Sequence, residues 1–418
     1  MDLEKIELYT TVYRFSKFLL NIPSIKGGFE VTEATLIGLT VTKRYESNHA
    51  PFVSVTLEIP QYVFRAMQKD ADKLSATILW EYGFAKDLDK DSNIGWKTYF
   101  SGELRILMDD VTPDIMSPYK EEYENEDGGK KDGMGLNDRT IVSFLLFNKN
   151  YYEGGSKLVY GVLNGPSITD AMVYCLNKGN INKVLMSPAS GSGKVPTECR
   201  FPAKTVQDEL QYMADTYHMH KKGTLVFFDL DKCYIIEKAP SCTAWTTNEI
   251  TKTYIVSMNN YNADNAMLHG CFTTYQEKFN LVNIPVGSID IENESISNEH
   301  SKGNNLLVLD TATGNVAKVN GGINNVTGTT GIRTIDSGSK DIEVMQERLH
   351  ELKNVIHLRT EGTHLEFLNP NKEFIISMDN TKYSKYNGSY RITTSHTTFR
   401  KDGKNFIPIT AFTIAGGK

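Results

Sequence analysis

Three short runs in this 418-residue chain carry side chains suited to chemistry. Asp229 and Asp231, in FFDLD, stand two residues apart. On a strand they face the same side, where paired carboxylates can hold a cation or exchange a proton. Asp231 also precedes Lys232 at an expected hairpin turn, where Asp commonly makes local hydrogen bonds, and that structural role is the expectation. Ser190 to Lys194 reads SGSGK, in outline a phosphate loop. The motif needs Gly six positions before the Lys, where Pro188 stands, and Ser or Thr after it, where Val195 and Pro196 follow. An exposed turn is expected, with amides that offer an anion no more than a general affinity. His218 and His220 (HMH) fall at the expected end of a helix, where i and i+2 side chains diverge and chelate poorly; a favourable interaction with the helix dipole explains them.

Other chemistry finds no anchor. There is no GxSxG and no cysteine in a catalytic context. Trp80, Trp96 and Trp245 would suit a sugar platform, but core packing is the simpler reading. Cys175, Cys199, Cys233, Cys242 and Cys271 are odd in number, and none is in CxxC spacing. Free thiols made in a reducing cytoplasm are expected, without disulfides or zinc. The sequence assigns no catalytic, cofactor-binding or metal-ligating residue, and no cofactor.

The elements that would position any site are mostly strands. Tyr (21) and Phe (19) are abundant and Pro (13) sparse, which favours β structure. A net charge of −6 argues against a protein that grips nucleic acid through its phosphates, though not against a surface that DNA slides past. MDLEKIELYT is not a secretory signal, and no apolar run reaches the length of a membrane span.

The N-terminal hundred residues show alternation at Ile6–Val12, then runs at Thr35–Tyr45, Phe52–Ile59, Leu74–Tyr82 and Trp96–Met108. A helix is expected over Gln61–Lys69, with Val63, Phe64 and Met67 inward and Pro60 opening it. This suits a small antiparallel barrel with a flanking helix. Lys120–Asp138 is charged and Gly-rich and reads as a flexible loop or linker. From Arg139 to Lys221 the texture is α/β: IVSFLLF as a buried strand or short helix, a helix capped by Ser167 and ending at Gly179, and another from Thr205 with Asp208 at the capping-box position. GTLVFFDLDKCYIIEK makes two strands joined around Asp231. Thr253–Met258 and His269–Phe279 return to strand texture. Ser295–Ser339, rich in Asn, Gly, Thr and Ser, reads as irregular hairpins. Asp341–Leu352 is amphipathic helix, and Val355–Thr360, His364–Leu368, Phe374–Met378, Tyr390–Phe399 and Phe406–Ile414 are strands.

Two runs carry a resemblance. NGSYRITTSHTTFRKDGKNFIPIT, Asn387–Thr410, resembles the closing hairpin of the tail-tube-like barrels in baseplate central hub proteins of contractile-tailed bacteriophages, through Gly388, Tyr390, Arg391, Ile392, Phe399, Gly403 and Phe406. Gly223–Lys238 is similar to the return from those proteins' inserted domain to the barrel, and the helix from Thr205 to Tyr217 fits that insertion. Asn280–Lys340 matches nothing in the pattern.

The resemblance implies a β-rich α+β fold: two tail-tube-like antiparallel β-barrels with flanking helices and an inserted α/β domain. The expected boundaries are 1–118 for the first barrel, completed by about 222–258; 119–138 for the linker; 139–221 for the insertion; and 259–418 for the second barrel, with an irregular stretch at about 290–340. It further implies a non-enzymatic homotrimer in the virion tail, pseudo-sixfold because each copy brings two barrels. Such a ring would join a tail tube ring above to a central spike below, with tape-measure and baseplate wedge proteins as further partners. DNA would pass through the lumen without specific binding, and no stable membrane insertion is expected. Three alternatives stay open: a tube-end or completion protein of the same barrel type, a cell-wall hydrolase of the tail centred on Asp229 and Asp231, and a carbohydrate- or receptor-binding module.

Overall fold

A computed structural model describes residues 10–45, 50–85, 88, 95–108, 139–187, 189, 198–217, 219–220, 223–237, 252–257, 280–282, 286–291, 305–310, 316–319, 330–335, 354–365, 368–370, 373–377 and 388–416. The linker 119–138, the SGSGK loop, His218, Trp245, Cys242, Cys271, the strand expected over His269–Phe279 and the helix expected over Asp341–Leu352 lie outside these residues.

The elements run in chain order. The first part holds β1 (Thr11–Asn21), β2 (Phe29–Glu30), β3 (Leu36–Arg44), β4 (Phe52–Pro60), α1 (Gln61–Lys69), β5 (Ser75–Phe84), β6 (Lys97–Met108) and β7 (Arg139–Phe147). Next come α2 (Lys149–Gly155), β8 (Leu158–Asn164), α3 (Ile168–Gly179), β9 (Val184–Met186), β10 (Glu198–Thr205), α4 (Val206–Thr216), β11 (Thr224–Phe228) and β12 (Cys233–Glu237). The remaining described elements are strands: β13 (Lys252–Ser257), β14 (Asn280–Val282), β15 (Val286–Ile291), β16 (Asn305–Asp310), β17 (Val316–Val319), β18 (Thr330–Ile335), β19 (Asn354–Glu361), β20 (Glu373–Ser377), β21 (Gly388–Asp402) and β22 (Asn405–Gly416).

Eight strands close an antiparallel barrel in the order β1-β5-β6-β7-β4-β3-β21-β22, and β22 returns to β1 where Tyr13 meets Phe406. Period-2 alternation builds it: Val53, Val55, Leu57 and Ile59 of β4 point inward while their neighbours stay partly exposed. Inside, Tyr13, Trp80, Tyr99 and Phe399 stack edge-on with centroids 5.0–5.8 Å apart. Such offset aromatic contacts add about 0.5–1.5 kcal/mol each beyond area burial. Helix α1 lays Val63, Phe64 and Met67 against this core, as its spacing predicts.

The closing hairpin serves two sheets. Residues Thr394–Thr398 of β21 pair with β3 in the barrel, whereas Phe374–Ile376 of β20 pair with Gly388–Tyr390. Along β22, Ile409–Gly416 pair with β19. The hairpin thus runs on into a second, mixed sheet of order β14-β13-β20-β21-β22-β19-β15. A register shift between Ile392 and Thr394 marks the passage; a bulge bends a strand where it leaves one surface for another.

The barrel's boundaries differ from those read in the sequence. Arg139–Phe147, expected in the insertion, is a barrel strand between β4 and β6. The barrel is completed by 388–416 rather than by 222–258. Residues 224–237 instead pair with β9 in a three-stranded sheet of the insertion. The reason is physical: local alternation identifies strands but not their partners, and this closure joins residues some 390 positions apart. Two of the pairings in the second sheet, β13 with β14 and β13 with β20, are parallel. Of the run His364–Leu368, the described residues form a buried turn, not a strand. The first described strand runs from Thr11 to Asn21, and residues 6–9 of the alternation expected at Ile6–Val12 lie outside the described residues.

The insertion, 149–237, has its own core of Tyr151, Met172, Cys175, Leu210, Met213 and Phe228 among others. Ser167 caps α3 in a full capping box with Asp170, and Thr205 caps α4 through the Asp208 amide. Cys175, Cys199 and Cys233 are buried free thiols. Between residues 305 and 335, β17, β16 and β18 form a small separate sheet. No helix among the described residues is long and apolar enough to cross a membrane.

Candidate functional site: the junction of barrel and insertion

The strand alternation that places Leu39 and Val41 in the barrel also turns Lys43 inward, where its side chain is 4% exposed. A lone ammonium there would be strongly unfavourable. Its partner arrives from the insertion: Asp229 Oδ1 lies 2.6 Å from Lys43 Nζ, and the Tyr99 hydroxyl lies 3.3 Å away. Asp229 also shapes its own turn. Its amide donates to the Lys232 carbonyl at 2.7 Å, and Oδ1 accepts the Leu230 amide at 2.8 Å. Leu230, thrust forward by this turn, enters the barrel's hydrophobic core, and Asn148 Nδ2 holds its carbonyl at 2.8 Å.

Tyr45 completes the junction. It is 1% exposed, its ring meets Phe227 edge-on at 5.2 Å, and its hydroxyl donates to the Leu368 carbonyl at 2.7 Å. Burial pushes its ionisation far above the ordinary tyrosine range, so it is a neutral donor at any working pH. A second segment, Gly362–Leu365, docks nearby on the same barrel. There the Tyr13 hydroxyl accepts the Leu365 amide at 2.9 Å and lies 2.7 Å from His364 Nδ1, whose ring stacks on Tyr82 at 3.9 Å.

The Asp229 and Asp231 expectation is therefore met at the turn. Both residues lie between β11 and β12 and not on a strand, so the same-side rule does not apply. Both line one cleft of about 310 Å³ with Thr98, Tyr99, Ser101, Lys232 and Tyr234, and Asp229 is ion-paired there with Lys43. Burial raises the Asp231 carboxyl above its usual range, Asp229 adds to the rise, and Lys232 opposes it. His220 lies past the end of α4, fully buried, with Nε2 2.8 Å from Ser187 Oγ and Nδ1 3.1 Å from Thr224 Oγ1; it is a packed core histidine. Trp80 is core, and Trp96 is half-buried with the Arg14 guanidinium 4.2 Å over its ring. Among the described residues no group of three or more His, Cys, Asp or Glu is placed to hold a metal.

The sequence reading missed Lys43, Tyr45, Tyr13 and His364. One signal was present: a lysine on the inward parity of an otherwise apolar strand demands a buried counter-charge. The arrangement clamps two bodies together, with the charge neutralised and a leucine as the plug.

Among solved structures, the fold matches the tail protein from Neisseria meningitidis MC58 with a TM-score of 0.52 at 9% identity, covering 96% of each chain. The prophage MuSo2 43 kDa tail protein from Shewanella oneidensis has a TM-score of 0.49 at 11% identity, over 95% of this chain and 97% of that one. The prophage tail protein gp18 from Listeria monocytogenes EGD-e has a TM-score of 0.45 at 9% identity, over 96% and 95%. A comparison with curated proteins gave no match. The fold is thus shared with a tail protein, and over residues 36–414 the sequence itself matches the family model described as Bacteriophage PBS1 gene 109 protein, so the chain belongs to that family.

Proposed function

We propose that the protein is a structural subunit of a phage tail baseplate, whose three copies form a pseudo-sixfold hub ring that joins the tail tube to the central spike and surrounds the DNA channel. One observation carries this reading: the β21–β22 hairpin belongs both to a closed eight-stranded barrel and to a second sheet, so one chain supplies two β bodies on a common rigid element. Three such chains bring six bodies, which reconciles a sixfold tube with a threefold spike. Residues 252–377, with the parts of β21 and β22 that leave the barrel, would supply the second tube-like body around that second sheet. Membership in a phage protein family and a fold shared with a tail protein support the setting. The neutral Lys43–Asp229 clamp suits a mechanical part whose insertion must keep its place on the barrel. Tape-measure and wedge proteins are its further expected neighbours. A chain of net charge −6 lets DNA pass without a phosphate-binding trap.

Electron microscopy of the purified, concentrated protein tests the reading. Class averages should show threefold rings with six lobes around an open centre. Six-membered rings with one lobe per chain would favour the tube-end reading instead, and isolated particles without rings would contradict both.

A further inference from the structure

Two exposed apolar faces of this chain are built alike and lie on different bodies. The first is on the insertion. Strand β8 reads LVYGVLN, apolar on both sides, as strands covered on both faces do. Its inner face meets α3 and α4, yet Leu158, Tyr160 and Val162 on the outer face are 55%, 67% and 55% exposed. Across the ribbon, Pro202 stands opposite Tyr160 and Arg200 opposite Val162. The edges of this ribbon are poorly suited to adding a strand. The Tyr160 carbonyl accepts from the Tyr174 hydroxyl, and β10 carries Pro202 and a bulge with Ala203 at positive φ. An occupant would therefore cover the face.

The second face is the outer wall of the barrel at β7 and β6. Ile141, Ser143 and Leu145 point outward in one row, with Leu107 of β6 beside Leu145; Ile141 is 40% and Leu107 46% exposed. Leu158–Val162 and Ile141–Leu145 each span five residues, roughly 14 Å at the rise of a β-strand. Each row also ends in an exposed Arg–Glu pair: Arg200 with Glu198 beyond Val162, and Arg139 with Glu58 beside Ile141.

We infer that the β8–β10 ribbon of one copy packs face to face on the β6–β7 wall of the next copy around the ring. Leu158 and Val162 then cover Leu145 and Ile141, Tyr160 lies over Ser143, and the two ion pairs exchange partners, with Arg200 facing Glu58 and Glu198 facing Arg139. A cyclic assembly needs two different faces on each copy that fit one another, and these two match in length, apolar character and terminal charge. The ribbon covers only roughly 240 Å², well below the ~800 Å² per partner of a stable interface, so the contact adds to the barrel-to-barrel contacts of a ring and does not hold a dimer alone. The inference rests on the ring reading above and goes on to name the surfaces that meet.

The test follows trimer dissociation on dilution of the full-length protein, by sedimentation or mass photometry. Val162→Asp and Ile141→Asp should each raise the concentration needed for trimer by at least tenfold, with circular dichroism unchanged. Arg200→Glu and Glu58→Arg should each weaken the trimer. Combined in one chain, they set two carboxylates against two guanidinium groups and should restore it in a salt-sensitive way. A wild-type trimer that none of these changes affects overturns the inference and leaves the ring reading standing. Ribbon variants that weaken the trimer while wall variants do not also overturn it, because the ribbon then meets another surface. A wild-type protein that forms no trimer removes the ring reading itself.

Discussion

Replacing Asp229 with Asn tests the clamp between barrel and insertion. The substitution keeps the side-chain oxygen that accepts the Leu230 amide and removes only the charge facing Lys43. Lys43 then remains 4% exposed, with the Tyr99 hydroxyl at 3.3 Å as its named neighbour. Removing one member of a buried ion pair costs about 3–5 kcal/mol. At about 2–4 °C per kcal/mol for domains of 150–250 residues, the melting transition should fall by roughly 6–20 °C. Lys43→Met should destabilise by a similar amount. The double variant should lose clearly less than the sum, because the two side chains interact directly, and a coupling of about 1–3 kcal/mol is expected for groups in contact. The assay is thermal unfolding followed by circular dichroism, with limited proteolysis reporting release of the insertion. A shift under 2 °C for Asp229→Asn, or strict additivity in the double variant, would refute the claim that this pair holds the two bodies together.

Further outcomes follow from single contacts. Tyr13→Phe strands the Leu365 amide and removes the hydroxyl beside His364, costing about 1–3 kcal/mol in denaturant unfolding. Ser167→Ala removes the cap of α3 and should cost about 0.5–2 kcal/mol, read in the same way. Gly154→Ala drives a Cβ into the Gly179 carbonyl oxygen, forcing apart the ends of α2 and α3 and destabilising the insertion by about 1–3 kcal/mol. Asp231, whose folded ionisation is raised by burial, favours the fold most at pH below the ordinary carboxylate range and loses that contribution as pH rises through the raised value. Asp231→Asn should therefore stabilise the protein at neutral pH, with the advantage vanishing as the pH falls; a pH series of melting temperatures checks it.

Much of the fold was legible where local signals decide. Gln61–Lys69 forms the expected helix with Val63, Phe64 and Met67 inward because Pro60 and a helical apolar stripe agree. The caps at Ser167 and Thr205 stand where the sequence puts them, because side-chain capping is a local interaction. What was not legible is pairing. RTIVSFLLF alternates as a strand in any sheet, and nothing local says that it closes a barrel with β4 and β6. The same holds for the C-terminal hairpin, whose partners lie at the other end of the chain. The junction was half legible. The Asp229 turn could be read, but its purpose depends on Lys43, which lies 186 positions away and shows itself only as a charge at an inward position. The strand β8, LVYGVLN, is absent from the expected elements, and whether a partner covers one of its sides or both depends on the assembly.

The central claim is that three copies of one two-bodied chain make the ring, and the mass of the purified wild-type protein in solution tests it most directly. Light scattering across a rising concentration series should converge on three times the 47.0 kDa chain. A protein that remains monomeric throughout, or that passes directly to six copies, would contradict the account.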